Sequence, residues 1–134
     1  TAECRLWADV LVPLCHQASS ARHPCAPATG NLFANRICKH PLVQLVDELG
    51  QCRLLLTSDT GAMHLASLLG VPVVAIFGAT EPLLTGPLGN GHIVLRRHVE
   101  CSPCFLRECP IDFRCMKAVN AHEVGDAVLS MLAK

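Results

Sequence analysis

Aromatic residues are scarce in this 134-residue chain, which has four Phe, one Trp and no Tyr. Proteins that bind single-stranded nucleic acid usually stack the bases on aromatic side chains, so this class is disfavoured. Charge of one sign is also lacking, because eleven Lys and Arg balance eleven Asp and Glu. No apolar run reaches the roughly 18 to 20 residues of a membrane span, and no signal peptide is visible at the start. The composition therefore predicts neither a nucleic-acid binder nor a membrane-spanning protein.

Apolar residues and cysteines are abundant by contrast. Apolar residues make up 51% of the chain and charged residues 16%, which is typical of a folded domain with a real core. There are nine cysteines, an odd number that cannot pair completely within one chain. Five are scattered along it, namely Cys4, Cys15, Cys25, Cys38 and Cys52. Scattered cysteines in apolar surroundings are mostly buried thiols of a reducing compartment, so we expect a cytoplasmic protein.

The first fifty residues predict helices separated by a loop. Apolar residues at helical spacing predict a helix over residues 7–18, which Pro13 kinks or shortens. Residues 19–30 are rich in Ser and Pro and predict a loop, and residues 31–38 a short edge strand. Pro41 opens a further helix that Gly50 can end. Its expected buried stripe consists of Leu42, Leu45, Val46 and Leu49.

The stretch 54–80 predicts a strand, a helix and a second strand. Residues 54–57 and 73–77 are near-continuous apolar runs, typical of strands buried on both faces, and residues 62–69 lie between them as a helix. Such a unit fits a right-handed βαβ crossover with parallel strands. Residues 92–96 predict a further strand, and Asn120 with Glu123 resembles the capping box of a last helix. The expected fold class is α/β, a Rossmann-like parallel sheet with flanking helices.

Polar residues crowd the turn between the first of these strands and its helix. A carboxylate (Asp59), a hydroxyl (Thr60), a glycine (Gly61) and an imidazole (His64) fall within six residues. Ligands of open α/β sheets bind at the carboxyl ends of the strands, and a helix start offers free N–H groups to a phosphate. The alternative is that Asp59 or Thr60 only caps the helix and that His64 only packs. On spacing alone the two interpretations are equally favoured.

The residues of this stretch resemble the signature of glycosyltransferase family 9, the ADP-heptose:lipopolysaccharide heptosyltransferases. The family pattern D-T-G-x-M-H, then G-x-P-x-x-x-x-F-G-x-T, is present in the run DTGAMHLASLLGVPVVAIFGAT. The later T-G-P (85–87), the segment C-S-P-C…C-P…C-M (101–116) and the early A-E-x-x-x-W (2–7) resemble the family too. Residues 35–42 resemble the family pattern N-L-x-G-K-T-S-L more weakly, because its glycine and both of its hydroxyl residues are absent here.

The resemblance implies a donor-binding domain, the C-terminal half of a GT-B glycosyltransferase with two Rossmann-like domains. Residues 1–134 would form this single, incomplete nucleotide-sugar-binding domain. By position, Asp59 would contact the donor sugar, Thr60 and Gly61 the diphosphate, and His64 would lie beside that diphosphate. Three further donor-binding residues are expected: Arg5 in the place of a family Lys, Lys39 in the weakly similar residues 35–42, and Thr80 in the glycine-rich loop.

The implied reaction is inverting transfer of heptose from ADP-heptose to the lipid A–Kdo core of lipopolysaccharide. Positioned hydrogen-bond donors, and no catalytic metal or other cofactor, would stabilise the leaving group. The general base is expected in an acceptor domain outside this chain, so no catalytic residue is assigned here and the chain alone is expected to be inactive. The resemblance also implies a cytoplasmic protein of a Gram-negative bacterium, peripheral to the inner face of the inner membrane.

Four clustered cysteines allow a second hypothesis. Cys101, Cys104, Cys109 and Cys115 place four thiols within residues 101–115, a cysteine-rich loop. Four thiolates can hold a structural zinc or an iron–sulfur cluster, but the same residues can remain reduced or form disulfides. The alternative function is thus a non-catalytic α/β module stapled by a four-cysteine metal site.

Charged residues near the predicted strand ends are further candidates. Glu81 could bond a ribose hydroxyl, as acidic residues do in nucleotide-binding folds. The cations Arg96, Arg97 and Arg107 could reach phosphates, although a solvated surface role is expected for each.

Overall fold

The computed structural model describes residues 41–134, which cluster as one compact unit. Several predictions fall outside these residues: the helix over 7–18, the loop over 19–30, the strand over 31–38, and the candidate donor contacts Arg5 and Lys39. A single domain over residues 1–134 likewise stays a prediction.

Three parallel strands form the sheet in this part of the chain. They are β1 (Leu55–Ser58), β2 (Val73–Phe77) and β3 (Ile93–Arg96), in the order β1-β2-β3. Leu55 lies opposite Val73, and Val74 opposite Ile93. All five residues of β2 are buried, as the apolar run predicts for a central strand covered on both faces. The predicted α/β class with a Rossmann-like parallel sheet is confirmed.

Five helices accompany the sheet within residues 41–134. They are α1 (Leu42–Gly50), α2 (Gly61–Leu68), α3 (Pro82–Thr85), α4 (Arg114–Lys117) and α5 (Ala121–Leu132). The two four-residue helices, α3 and α4, were not predicted, because one turn of helix leaves no periodic apolar pattern. None of these helices combines the length and the apolar character needed to cross a bilayer.

One apolar cluster ties α1 and α2 to the sheet. Its buried members are Leu49, Met63, Ala66, Val71, Val73, Ala75 and Phe77, and Leu45, Leu55 and Leu65 pack against it. Since alternate residues of a strand face the same way, Val73, Ala75 and Phe77 lie on one face of β2. This packing fixes the start of α2 at the carboxyl edge of the sheet.

The predicted stripe of α1 is wrong at its first residue. Leu42 is 66% exposed, whereas Leu49 is buried and Leu45 packs on the core cluster. Only the second and third turns of α1 reach that cluster, so Leu42 projects beyond it. Cys52, expected as a buried thiol, is exposed as well.

The last helix starts as predicted but without a complete capping box. The Asn120 side chain accepts a hydrogen bond from the His122 N–H at 2.9 Å. Glu123 does not complete the box. Its carboxylate lies 2.7 Å from Nη2 of Arg97, which follows β3. Arg97 therefore ties α5 to the edge of the sheet.

Candidate functional site

The turn between β1 and α2 brings four predicted site residues together. β1 ends at Ser58 and α2 begins at Gly61, so Asp59 and Thr60 form the link, and His64 lies one helical turn further on. We call residues 59–61 the β1–α2 turn. Because β1, β2 and β3 are parallel, this turn shares the carboxyl edge of the sheet with the residues after β2 and the end of β3.

The N-terminus of α2 has no side-chain cap within the described residues. Thr60 is the N-cap residue, with extended φ −146° and ψ 165°, but its hydroxyl makes no capping hydrogen bond. That hydroxyl lies 3.1 Å from Oγ1 of Thr57 instead. The first turn of α2 also contains no acidic residue. The first N–H groups of α2, at Gly61 and Ala62, are therefore left without a hydrogen-bond partner in residues 41–134.

Asp59 does not cap the helix. Its Oδ2 accepts a hydrogen bond from Oγ1 of Thr85 at 2.8 Å, across 26 positions of sequence. The capping interpretation of Asp59 is therefore wrong, since the carboxylate is directed to α3 and not to the amides of α2. Asp59 is partly buried.

Gly61 is not required by the backbone or by packing. Apart from its chain neighbours and the backbone of α2, a Cβ built on it would meet no atom of residues 41–134 within 4 Å, and its φ is not positive. Two other glycines at the same edge differ. A Cβ on Gly78 would lie 2.6 Å from Sδ of Met116, and one on Gly86 would lie 2.4 Å from the carbonyl oxygen of Pro82. Gly61 thus leaves open space above the start of α2.

His64 is half-buried in α2. Its carbonyl accepts the Ser67 hydroxyl at 2.9 Å, but its imidazole forms no hydrogen bond to any residue of 41–134. Side chains of a helix tilt toward its N-terminus, which carries this ring toward the open start of α2.

The residues after β2, unlike the start of α2, are hydrogen-bonded to other described parts of the chain. We call residues 78–81 the β2–α3 turn. Nη1 of Arg96 donates to both carboxylate oxygens of Glu81, at 2.8 and 2.7 Å. This hydrogen bond is the main cause that holds the pKa of Glu81 below its ordinary value of 4.5. Glu81 also accepts a long hydrogen bond, 3.5 Å, from the Leu83 N–H at the start of α3. The hypothesis that Glu81 bonds a ribose gains no support, because Arg96 already occupies its carboxylate.

Thr80 lies partly buried in the same turn, and its hydroxyl has no hydrogen-bond partner among the described residues. Of the candidate cations, Arg96 and Arg97 are paired with carboxylates, as described above. Arg107 is exposed. The side chains of Thr80 and Arg107 are thus available to a ligand, whereas the Arg96 side chain stabilises the fold through its ion pair with Glu81.

The cysteine segment, residues 101–115, lies against the β2–α3 turn. The buried Ser102 donates its hydroxyl to the carbonyl of Gly78 at 2.6 Å. The N–H groups of Cys104 and Phe105 both donate to the carbonyl of Ala79, at 3.0 and 2.8 Å. We call these three hydrogen bonds the latch of the cysteine segment. The sequence does not predict them, because no local pattern points from a serine between two cysteines to a partner 24 positions away.

The four clustered thiols are free. Cys115 is buried, and burial, with smaller contributions from the nearby Cys101 and Cys104, raises its pKa. Cys109 accepts the Phe113 N–H at 3.4 Å, and the N–H groups of Ile111 and Phe113 lower its pKa. Within residues 41–134, no group of three or more His, Cys, Asp or Glu side chains could hold a metal ion. The structure therefore lends the predicted zinc or iron–sulfur site no support.

Comparison with known proteins points to one family. The family model described as glycosyltransferase family 9 (heptosyltransferase) matches residues 13–113. Lipooligosaccharide heptosyltransferase 2 of Campylobacter jejuni is 30% identical over 105 residues, which cover 76% of this chain and 33% of that protein. Lipopolysaccharide heptosyltransferase 1 of Pseudomonas aeruginosa is 28% identical over 113 residues, 77% of this chain and 32% of that protein.

A third relative matches a shorter part of this chain at higher identity. Lipopolysaccharide heptosyltransferase 2 of Escherichia coli is 38% identical over 55 residues, 41% of this chain and 16% of that protein. No solved structure matches the chain. The chain thus spans about a third of the length of the first two relatives. By the extent of the family match, the chain belongs to glycosyltransferase family 9, the heptosyltransferase family.

Proposed function

We propose that this chain is the donor-binding domain of an inverting heptosyltransferase of lipopolysaccharide biosynthesis. Its ligand would be ADP-heptose or a closely related nucleotide sugar, bound at the β1–α2 turn. Family membership supports the sugar-transfer chemistry. The whole reaction is proposed for a heptosyltransferase that also contains an acceptor domain, located at the cytoplasmic face of the inner membrane.

The observation that carries this proposal is the uncapped start of α2. Free N–H groups and the helix dipole at Gly61 and Ala62 suit a diphosphate. Gly61 leaves room for that group to approach the backbone, since no other part of residues 41–134 comes within 4 Å of where its Cβ would stand. By their positions at the N-cap and in the first turn of α2, the Thr60 hydroxyl and the His64 imidazole would add two polar contacts.

Asp59 is suited to the sugar. Its Oδ2 is held by Thr85, whereas Oδ1 accepts no hydrogen bond from the described residues. A carboxylate oxygen accepts hydrogen bonds from sugar hydroxyls, and such charge-assisted bonds are stronger than neutral ones. Thr80 at the neighbouring turn, and Arg5 and Lys39 from the sequence resemblance, are the remaining proposed donor contacts.

The proposed reaction needs little covalent chemistry from this chain. An acceptor hydroxyl of the lipid A–Kdo core attacks the anomeric carbon of heptose, and the bond from that carbon to the diphosphate oxygen breaks with inversion. The bond's electron pair leaves with ADP, whose charge is stabilised by the N–H groups of α2. A general base of the acceptor domain takes the hydroxyl proton. The chain by itself would therefore bind donor without turning it over.

Isothermal titration calorimetry of the chain with ADP and with ADP-heptose tests the proposal. We expect both to bind, and Asp59→Ala or His64→Ala to weaken ADP-heptose binding about tenfold, the usual effect of losing one hydrogen bond to a charged group. Gly61→Ala should weaken both ligands, because its methyl group enters the diphosphate space.

Gly50→Ala is the matched control, since a Cβ at Gly50 also meets nothing within 4 Å in the described part of the chain but lies at the end of α1. It should bind both ligands as the unmodified chain does. Absence of binding by a folded sample, or equal weakening by Gly50→Ala and Gly61→Ala, contradicts the proposal.

A further inference from the structure

Thr85 and Asp59 form the one side-chain hydrogen bond that joins α3 to the β1–α2 turn in the described residues. Thr85 lies at the last position of α3, and both residues are partly buried. From this contact we infer that Thr85 is a positioning residue that orients the Asp59 carboxylate for the donor sugar. The inference rests on the proposed function, because it assumes that Asp59 contacts that sugar.

The hydroxyl of Thr85 has two acceptors within reach but only one proton. Oγ1 lies 2.8 Å from Oδ2 of Asp59 and 3.3 Å from the carbonyl oxygen of Glu81. A charged acceptor at the shorter distance forms the stronger hydrogen bond, so the proton is directed to Asp59. The hydroxyl therefore acts on Asp59 as a donor.

The position of Thr85 is itself fixed by the third strand. The Thr85 N–H donates to the carbonyl of Glu81 at 3.0 Å, and Gly86 donates to Pro82 at 2.8 Å. Glu81 is in turn held by Arg96 at the end of β3. A continuous set of contacts thus runs from β3 through Glu81 and Thr85 to Asp59, and links the carboxyl ends of all three strands.

Asp59 gains a defined orientation from this contact. With Oδ2 bonded to Thr85, rotation of the carboxylate is restricted, and Oδ1 remains available to a ligand. The open N–H groups of α2 are not bonded to Thr85, so the hydroxyl has no direct influence on a diphosphate held there. Loss of the Thr85 hydroxyl should consequently impair recognition of the sugar and leave recognition of the diphosphate unchanged.

The test compares the dissociation constants of ADP-heptose and ADP for the full chain and its Thr85 variants, measured by calorimetry. Thr85→Val keeps the shape and removes the hydroxyl. We expect about tenfold weaker binding of ADP-heptose, the effect of one charge-assisted hydrogen bond, with ADP binding unchanged. Thr85→Ser retains the hydroxyl and should bind both ligands as the unmodified chain does.

A second comparison separates positioning from a structural role. If Thr85 acts only through Asp59, the double variant Asp59→Ala/Thr85→Val should bind ADP-heptose no more weakly than Asp59→Ala. Circular dichroism checks that each variant is folded, and Thr85→Ala replaces Thr85→Val if the latter is not. A merely structural Thr85 would instead weaken ADP and ADP-heptose alike.

The outcomes also separate this inference from the proposed function. If the unmodified chain binds neither ligand, the donor site and the role of Thr85 both fail. If it binds both and Asp59→Ala weakens ADP-heptose, but Thr85→Val does not, the donor site stands and the role of Thr85 is overturned. Equal loss of ADP and ADP-heptose in Thr85→Val overturns it too.

Discussion

The β1–α2 turn and the β2–α3 turn occupy equivalent places in the fold and are used differently. Each follows a parallel strand at the carboxyl edge of the sheet, and each leads into a helix. At the β2–α3 turn, the carboxylate of Glu81 is bonded to Arg96 and the carbonyls of Gly78 and Ala79 to the cysteine segment. At the β1–α2 turn, the helix start and Gly61 are left open by the other residues of 41–134.

This difference separates a structural turn from a candidate binding turn. Polar groups that a protein leaves without internal partners are available to a ligand, whereas groups already bonded to each other stabilise the fold. Sequence position alone would treat Asp59 and Glu81 as equivalent, since each carboxylate follows an apolar run that predicts a buried strand. In the structure β2 is buried throughout, whereas β1 is only partly buried. The partners of the two carboxylates distinguish them.

The largest expected difference concerns one glycine near each turn. Gly86→Ala should lower the free energy of unfolding by about 3 kcal/mol, the upper end for overpacking, because its Cβ would lie 2.4 Å from a backbone oxygen. Gly61→Ala should change it by less than about 0.5 kcal/mol. Urea denaturation of both variants measures this pair. Similar losses in the two would show that the β1–α2 turn is as closely packed as the residues after β2.

The latch of the cysteine segment is expected to contribute less. Ser102→Ala removes the donor to the buried Gly78 carbonyl and should lower the unfolding free energy by about 1–2 kcal/mol. Ser130→Ala is the control, because its hydroxyl bonds a carbonyl of its own helix at 2.8 Å, and it should cost less than about 0.5 kcal/mol. Chemical denaturation measures the free energy of unfolding of both variants. A Ser102 variant as stable as the Ser130 variant would show that the hydrogen bond to Gly78 does not stabilise the fold.

The ion pair between Glu81 and Arg96 should make the stability of the folded chain depend on pH. Arg96 lowers the pKa of Glu81 below 4.5 in the folded chain, so the stabilisation is present above that pH and is lost as the pH falls through the lowered value. Glu81→Gln should therefore melt below the unmodified chain at about pH 7, and the gap should narrow toward about pH 3. Thermal melts across this range measure the gap. A constant or absent gap would mean that the pair does not stabilise the turn.

The smallest effect concerns the thiols of the cysteine segment and does not alter the fold. The pKa of Cys109 is lowered by backbone N–H groups, and that of Cys115 is raised by burial. Since the thiolate is the reactive form, iodoacetamide should modify Cys109 well before Cys115. Peptide mass spectrometry over time reads each site separately. Faster labelling of Cys115 would contradict the placement of this segment against the β2–α3 turn.

Local sequence signals predicted the elements that border the β1–α2 turn. The strand over residues 73–77 has the predicted bounds, and β1 and α2 each differ from the predicted bounds by one residue at both ends. These elements are apolar runs separated by Asp59, Gly70 and Pro72, so the apolar pattern and the helix-ending residues were sufficient. The crowding of Asp59, Thr60, Gly61 and His64 followed directly from their short separation in sequence.

The contacts that give each turn its character could not be predicted in this way. Asp59 and Thr85 are 26 positions apart, Glu81 and Arg96 are 15 apart, and Gly78 and Ser102 are 24 apart. No local pattern encodes such pairs, because they arise only when the parallel sheet brings its strand ends together. The short helix α3, which carries Thr85, was missed for the related reason that one turn has no period.

The most direct test of the proposed donor site is an NMR titration of the isotopically labelled chain with ADP. The largest shifts of amide peaks are predicted at Gly61 and Ala62, whose N–H groups have no hydrogen-bond partner in residues 41–134. The amide of Gly50 should not move. Shifts confined to residues 78–85, or none at Gly61 and Ala62 in a folded sample, would contradict the assignment of the β1–α2 turn to the diphosphate.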